Sequence, residues 1–163
     1  LAKVEGVRNA VMVQADPLGP TLYYGAGAGA EPTASAVVAD LVDVVREFTL
    51  EPENRVPYLA FQAHSLSDEP VAGMDSVETA YYLRMDAQDE PGVLAEVTGL
   101  LSSAGISIEA VIQKQPAPGA ETVPVILLTH RVREADMNAA CTRIEALDAI
   151  HGSLTRIRVE ALA

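Results

Sequence analysis

The chain has 163 residues, 49% of them hydrophobic, at a mean hydropathy of +0.18. That is enough apolar matter to bury a core, and it excludes a disordered segment. With 11 basic residues against 23 acidic ones, the formal charge is −12 and there is no basic stripe, so a nucleic-acid backbone would be repelled.

LAKVEGVRNAVMVQAD opens on Leu1 almost inside a strand pattern. The few strands that follow cannot build a full dinucleotide-binding sheet, so the chain is expected to be the carboxyl-terminal part of a longer protein. Asn9–Ala15 and Thr21–Tyr24 are β-rich and separated by DPLGP, where Pro17 and Gly19 suit a turn; together they predict a hairpin. A glycine-alanine run comes next, then Pro32, which a first helical turn tolerates. Val37, Val38, Leu41, Val42, Val45 and Phe48 fall on one helical face, with Asp40, Asp43 and Glu47 away from it. Residues 50–77 contain three prolines and no sustained period, the signature of an irregular connector.

Beyond the connector the pattern is more regular. Tyr81–Met85 reads as a strand, Asp89 as an N-cap and Pro91 as a first-turn residue. Val93, Leu94, Val97, Leu100, Leu101 and Ala104 line one side of a helix that Gly105 ends. Ile106, Ile108, Ala110 and Ile112 alternate as a strand. After a PAPGAE turn, VPVILLTH predicts a buried strand in which Pro124 argues for an edge or a strand start. A helix is expected from about Arg133 to Ala149. In the last strand Thr155, Ile157 and Val159 face one way, and Arg156, Arg158 and Glu160 the other. The order βαββαβ, with one apolar stripe per helix, predicts a four-stranded antiparallel sheet covered on one face, a ferredoxin-like layer pair. The fold class is therefore α+β: an incomplete α/β segment over 1–49 (hairpin plus long helix), a linker over 50–77, and a βαββαβ domain over 78–163.

Little in the side-chain inventory points to chemistry. Cys141 lies with Met137 and Ile144 on the apolar side of its helix and reads as a packed core thiol. His64, His130 and His151 are scattered without ligand spacing, so no metal site is expected. No apolar run approaches the roughly 20 residues that span a bilayer, and no signal sequence is visible. A membrane partner is not expected, and the cytoplasm is the expected location.

Two stretches resemble a known family. YGAGAGAEPTASAVVADLVDV resembles the segment by which homoserine dehydrogenases end their catalytic core and return to the nucleotide-binding domain, and NAVMVQADPLGPTLYYG is similar to the hairpin leading into it. ETAYYLRMDAQDEPGVLAEVTGLLSSAGISIEAVIQ resembles the carboxyl-terminal ACT domain that many bacterial members carry. The resemblance implies an oxidoreductase interconverting aspartate semialdehyde and homoserine with NAD(P)H, on the route to threonine and methionine. It also places the family's nucleotide-binding fingerprint, catalytic lysine, substrate carboxylates and monovalent-cation site upstream of Leu1. The only lysines, Lys3 and Lys114, are outside the catalytic context, so no catalytic residue is assigned.

Gly25, Gly27 and Ala30 fit G-x-G-x-x-G/A, yet Asp43 and Glu47 sit inside the following helix rather than at a strand end, which argues against a primary pyrophosphate cradle. Two compatible readings stay open. The glycines serve a strand-to-helix corner, or, as the resemblance implies, Gly29 and Gly27 line the cofactor pocket from its far side. At DEPGVL the alternatives are a plain helix start and an effector turn. For the second, the resemblance implies threonine at Asp89, Pro91, Gly92, Val93 and Leu94, across a dimer of ACT domains; Gln113 and Lys114 are then either near that interface or a solvated strand end, and both readings stay open. A homodimer or homotetramer is implied. The rival to the dehydrogenase reading is a stand-alone amino-acid-binding ACT module without catalytic activity.

Overall fold

The computed structural model describes residues 1–51, 55, 57, 60–116 and 119–160. Parts of the expected linker (52–54, 56, 58 and 59), part of the PAPGAE turn (117 and 118) and residues 161–163 of the second domain lie outside the described residues. The chain divides into two compact units, Leu1–Asp68 and Glu69–Ala163.

In the first unit β1 (Arg8–Ala15) and β2 (Gly19–Ala26) form a two-stranded antiparallel hairpin, in register from Arg8 opposite Ala26 to Ala15 opposite Gly19. Both strands run longer than the β-branched runs alone imply, because the ladder continues through Pro20 and Gly25. Helix α1 (Ala30–Phe48) follows, with Pro32 in its first turn and Asp43 and Glu47 within it. None of its residues is buried in this chain.

The second unit starts irregularly, with a single 3-10 turn at Met74–Ser76. It then runs β3 (Glu78–Gln88), α2 (Val93–Ser103), β4 (Ile108–Gln113), β5 (Thr122–Thr129), the two-residue β6 (Val132–Arg133), α3 (Glu134–Glu145) and β7 (Ile150–Val159). The main strands lie in the order β4-β5-β3-β7, all antiparallel, which is the expected ferredoxin-like arrangement. The short β6, which the sequence did not announce, pairs with the start of β3 through Glu78 and Thr79. Alternate residues of β3 (Tyr81, Leu83, Met85, Ala87) and of β5 (Val123, Val125, Leu127) point to the helix-covered face. They meet Val97 and Leu101 of α2 and Met137, Ala140, Cys141 and Ile144 of α3 in one core. Cys141 packs there as a free thiol, and burial pushes its pKa up.

Gly105 ends α2 as expected. With φ at 72°, it lets Ile106 N–H donate to the Leu101 carbonyl and its own N–H to that of Ser102, both at 2.9 Å. The buried Ile106 side chain closes this cap against the core.

Four expectations change. Strand β3 is longer than Tyr81–Met85, and α3 is shorter than Arg133–Ala149. Pro124 is neither at an edge nor at a strand start: it lies inside β5, between β3 and β4. Its carbonyl accepts from Lys114 N–H at 3.2 Å. A residue's nitrogen and carbonyl point to the same side of a strand, so the missing donor falls where the β4 ladder is already running out. Finally, β4 does not keep one phase. The pairing shifts between Ile108 and Ala110, so Ile108 joins the core while Ile112 turns to the uncovered face.

Candidate functional site

The glycine corner forms where β2 ends. Gly27 N–H donates to the Val7 carbonyl at 2.7 Å, extending the hairpin ladder by one bond. Gly29 then takes φ 127° and ψ 150°, a conformation costly for any other residue, and caps α1. An ideal Cβ at Gly29 would also lie 3.2 Å from Pro32 Cδ. Among the described residues no side chain caps the helix; Pro32 has no N–H and Thr33 N–H donates to the Gly29 carbonyl at 3.1 Å, which leaves the amides of Ala30 and Glu31 available to an anionic group. Beside the corner an open concavity of about 570 Å³ is lined by Asn9, Val11, Tyr23, Gly25 and Gly27, among others. The strand feeding the corner belongs to an antiparallel hairpin, not to a parallel βαβ unit, in keeping with the argument against a primary pyrophosphate cradle.

The second candidate is the turn between β3 and α2. Asp89 is not the N-cap. Gly92 holds that position with φ 102°, and Glu96 N–H donates to its carbonyl at 2.9 Å. Pro91 accordingly precedes the helix. Asp89 is drawn elsewhere: its Oδ1 accepts from Gln113 Nε2 at 3.2 Å, tying the turn to the end of β4. Val93 and Leu94 are half-buried and point back onto the core. The turn therefore brings Asp89 and Gln113 together and leaves Lys114 engaged through its backbone at Pro124. Beneath it a cavity of about 30 Å³ is lined by Met85, Val93, Val97, Gln113 and Val125, among others. That is room for about one water molecule, and an amino acid does not fit inside the unit there.

A third constellation was missed from the sequence. Glu134, with its side chain 3% exposed, starts α3 beneath β7. Arg158 grips it through Nε to Oε2 at 2.7 Å and Nη2 to Oε1 at 2.8 Å. Arg156 Nη2 is 3.2 Å from Oε1, and the Tyr81 hydroxyl donates to Oε2 at 2.5 Å. Arg156 also donates to Asn138, and its guanidinium lies 5.8 Å from the centre of the Tyr81 ring. The hydrogen bonds from Arg158 and Tyr81 hold the Glu134 carboxyl down at about 2, whereas burial and then the bond to Glu134 push the Tyr81 phenol up to about 12. Charge-assisted bonds of this kind fix a helix to a sheet. The Glu134 carboxylate and the Tyr81 hydroxyl are both engaged, so neither is a free acid or base. The alternating arginines of β7 were its only trace in the sequence.

Comparison with known proteins covers both units. Residues 1–42 match the family model for homoserine dehydrogenase, and residues 81–149 match that for the ACT domain. The chain is 57% identical over 162 residues to homoserine dehydrogenase of Pseudomonas aeruginosa, covering 99% of this chain and 37% of that protein. Against the enzyme of Neisseria gonorrhoeae the identity is 48% over 162 residues, with the same coverage. The crystal structure of a homoserine dehydrogenase from Thiobacillus denitrificans superposes with a TM-score of 0.82 at 57% identity, over 98% of this chain and 35% of that one. The chain thus spans little more than a third of the length of the relatives it matches. Its first 42 residues are similar to the homoserine dehydrogenase family, and a segment matching the ACT domain follows them in the same polypeptide.

Proposed function

We propose that this chain is the carboxyl-terminal portion of an NAD(P)-dependent homoserine dehydrogenase. That enzyme interconverts aspartate 4-semialdehyde and homoserine, serving threonine and methionine synthesis, and here it carries a regulatory ACT domain. The observation that carries the reading is continuous similarity to homoserine dehydrogenases at 57% and 48% identity, running through both units in one order. A free-standing amino-acid sensor has no use for residues 1–42, which match the dehydrogenase family. On this reading Gly27 and Gly29 line the cofactor pocket from the side opposite the nucleotide-binding fingerprint. The uncapped amides at the start of α1 favour negative charge there. On the same reading the end of the core spans 1–49, a linker 50–77 and the ACT domain 78–163. The protein acts in the cytoplasm as a homodimer or homotetramer; among the described residues no helix is long and apolar enough to cross a membrane.

The regulatory half of the proposal places threonine against Asp89, Pro91, Gly92, Val93 and Leu94. The cavity under this turn is too small for an amino acid, so the proposed site lies on the outer side of the turn, where a second ACT domain would complete it. Two measurements test the whole reading. The full-length protein should oxidise NAD(P)H with aspartate semialdehyde and be inhibited by threonine, whereas the 163-residue chain alone should not turn over. A hundredfold excess of threonine over its dissociation constant should stabilise the ACT unit by about 2.7 kcal/mol, read as a rise in melting temperature. A full-length protein inert with aspartate semialdehyde would remove the enzymatic reading. Absence of both inhibition and thermal shift would remove the effector.

A further inference from the structure

Three glycines crowd the end of the hairpin, and the structure explains two of them differently. Gly29 is required by its torsion of φ 127°. Gly27 has no such torsion; its constraint is a neighbour. An ideal Cβ at Gly27 would overlap Asn9 Nδ2, and would lie 2.9 Å from Asn9 Cγ and 3.5 Å from the Val7 carbonyl oxygen. Gly25 is the direct register partner of Asn9, yet a Cβ there would meet nothing within 4 Å. The Asn9 carboxamide therefore leans diagonally past its own partner and lies over Gly27, a reach that cross-strand neighbours two residues apart allow. Gly27 is held on two sides, by the Asn9 side chain across its Cα and by the bond from its N–H to Val7 at 2.7 Å. Two residues later the chain makes the Gly29 corner and enters α1.

We infer that Asn9 is a positioning residue for the cofactor: its carboxamide occupies the space a side chain at position 27 would take and fixes the Gly27–Gly29 backbone that faces the ligand. The inference rests on the reading of Gly27 and Gly29 as cofactor-lining. It adds a residue on β1 that sequence spacing does not single out, and a specific coupling between positions 9 and 27.

The coupling is tested in the full-length protein with Asn9→Gly, Gly27→Ala, the double variant and, as a control, Gly25→Ala. Gly27→Ala should raise the KM for NAD(P)H roughly tenfold, the size expected when contacting residues are forced apart. Asn9→Gly alone should raise it about threefold with kcat within about twofold of the parent, the pattern of lost ground-state positioning. In the double variant the added methyl finds the space vacated, and KM should return to that of Asn9→Gly, about threefold above the parent. Gly25→Ala, whose methyl meets no neighbour, should gain no relief from Asn9→Gly. A double variant no better than Gly27→Ala, or an unchanged KM in Asn9→Gly, overturns the inference. Melting temperatures of the same proteins give a readout independent of turnover. If the parent fails to oxidise NAD(P)H with aspartate semialdehyde, the functional reading falls. Rescue of the Gly27→Ala melting temperature by Asn9→Gly would then uphold the packing of Asn9 on Gly27, and its absence would sink that too. Rescue of melting without any effect on KM would show that Asn9 supports the fold and not the cofactor.

Discussion

At the scale of single residues, Glu134 is where the structure departs furthest from what the sequence displays. The pattern Thr-Arg-Ile-Arg-Val in β7 puts Ile157 and Val159 on one face and the two arginines on the other, without marking which face the helices cover. In the structure Ile157 and Val159 are 55% and 43% exposed on the uncovered face, and Arg156 and Arg158 reach the carboxylate under the helix. A strand's period tells which residues share a face and not which face is covered; register decides that, and register depends on partners far away in sequence. Glu134 also sets a pH limit on stability. Its folded pKa, about 2, lies below the ordinary 4.5, so the unfolded chain takes up the proton first as pH falls. The stabilisation is complete above the unfolded value and drains away as pH drops from 4.5 toward 2. Tyr81 works at the other end: its phenol, raised to about 12 from 10, favours the fold below pH 10 and loses that preference as pH rises toward 12. Glu134→Gln should cost about 2 kcal/mol near neutrality, since it strands two arginines and weakens the bond to Tyr81. It should also flatten the acid limb of a melting-temperature profile. An unchanged acid limb would mean that another carboxylate governs it.

At the scale of elements, most of the fold was legible because the local signals agree with one another. Gly105 ends α2 as its position predicts, and the apolar offsets of α2 and α3 mark the faces that meet the sheet. What could not be read was decided between elements. The shift at Glu109 that turns Ile112 outward exists only in the pairing of β4 with β5. The hydrogen bond that takes Asp89 away from the helix cap requires Gln113, at the far end of β4. The same helix carries a prediction with two signs. Gly92 begins α2 with φ 102°, so Gly92→Ala should destabilise the ACT unit by roughly 1–2 kcal/mol even though a Cβ there meets nothing within 4 Å. Gly99 lies in the exposed middle of α2, also with nothing within 4 Å, and Gly99→Ala should stabilise the unit by about 1 kcal/mol. Urea titration of both variants checks this pair of signs. On the proposed regulatory reading Gly92→Ala should in addition weaken threonine inhibition in the full-length enzyme, and Gly99→Ala should not.

At the scale of the whole molecule, the first unit raises a packing question. The stripe of α1 anticipated from spacing is real, yet Val37, Val38, Leu41, Val42, Val45 and Phe48 are between 42% and 77% exposed. The hairpin adds Val11, Leu22, Tyr23 and Tyr24, all more than half exposed. Scattered apolar side chains on a surface need no explanation, but a continuous helical face of them marks a contact. Under the proposed function the contact is the remainder of the dehydrogenase core. The prediction then takes opposite forms in two settings. As an isolated 163-residue chain the protein should associate at micromolar concentration through this face, and Leu41→Lys with Val45→Lys should return it to a monomer in sedimentation velocity while leaving the thermal transition of the ACT unit unchanged. In the full-length protein the same two substitutions would bury unpaired charge, at a cost of several kcal/mol, and should abolish folding of the core together with its turnover. Charge on the stripe that is harmless in both settings would mean that nothing covers the helix. A stripe that promotes association in the fragment and is indispensable in the whole protein is what a helix laid on a sheet from elsewhere in the polypeptide requires.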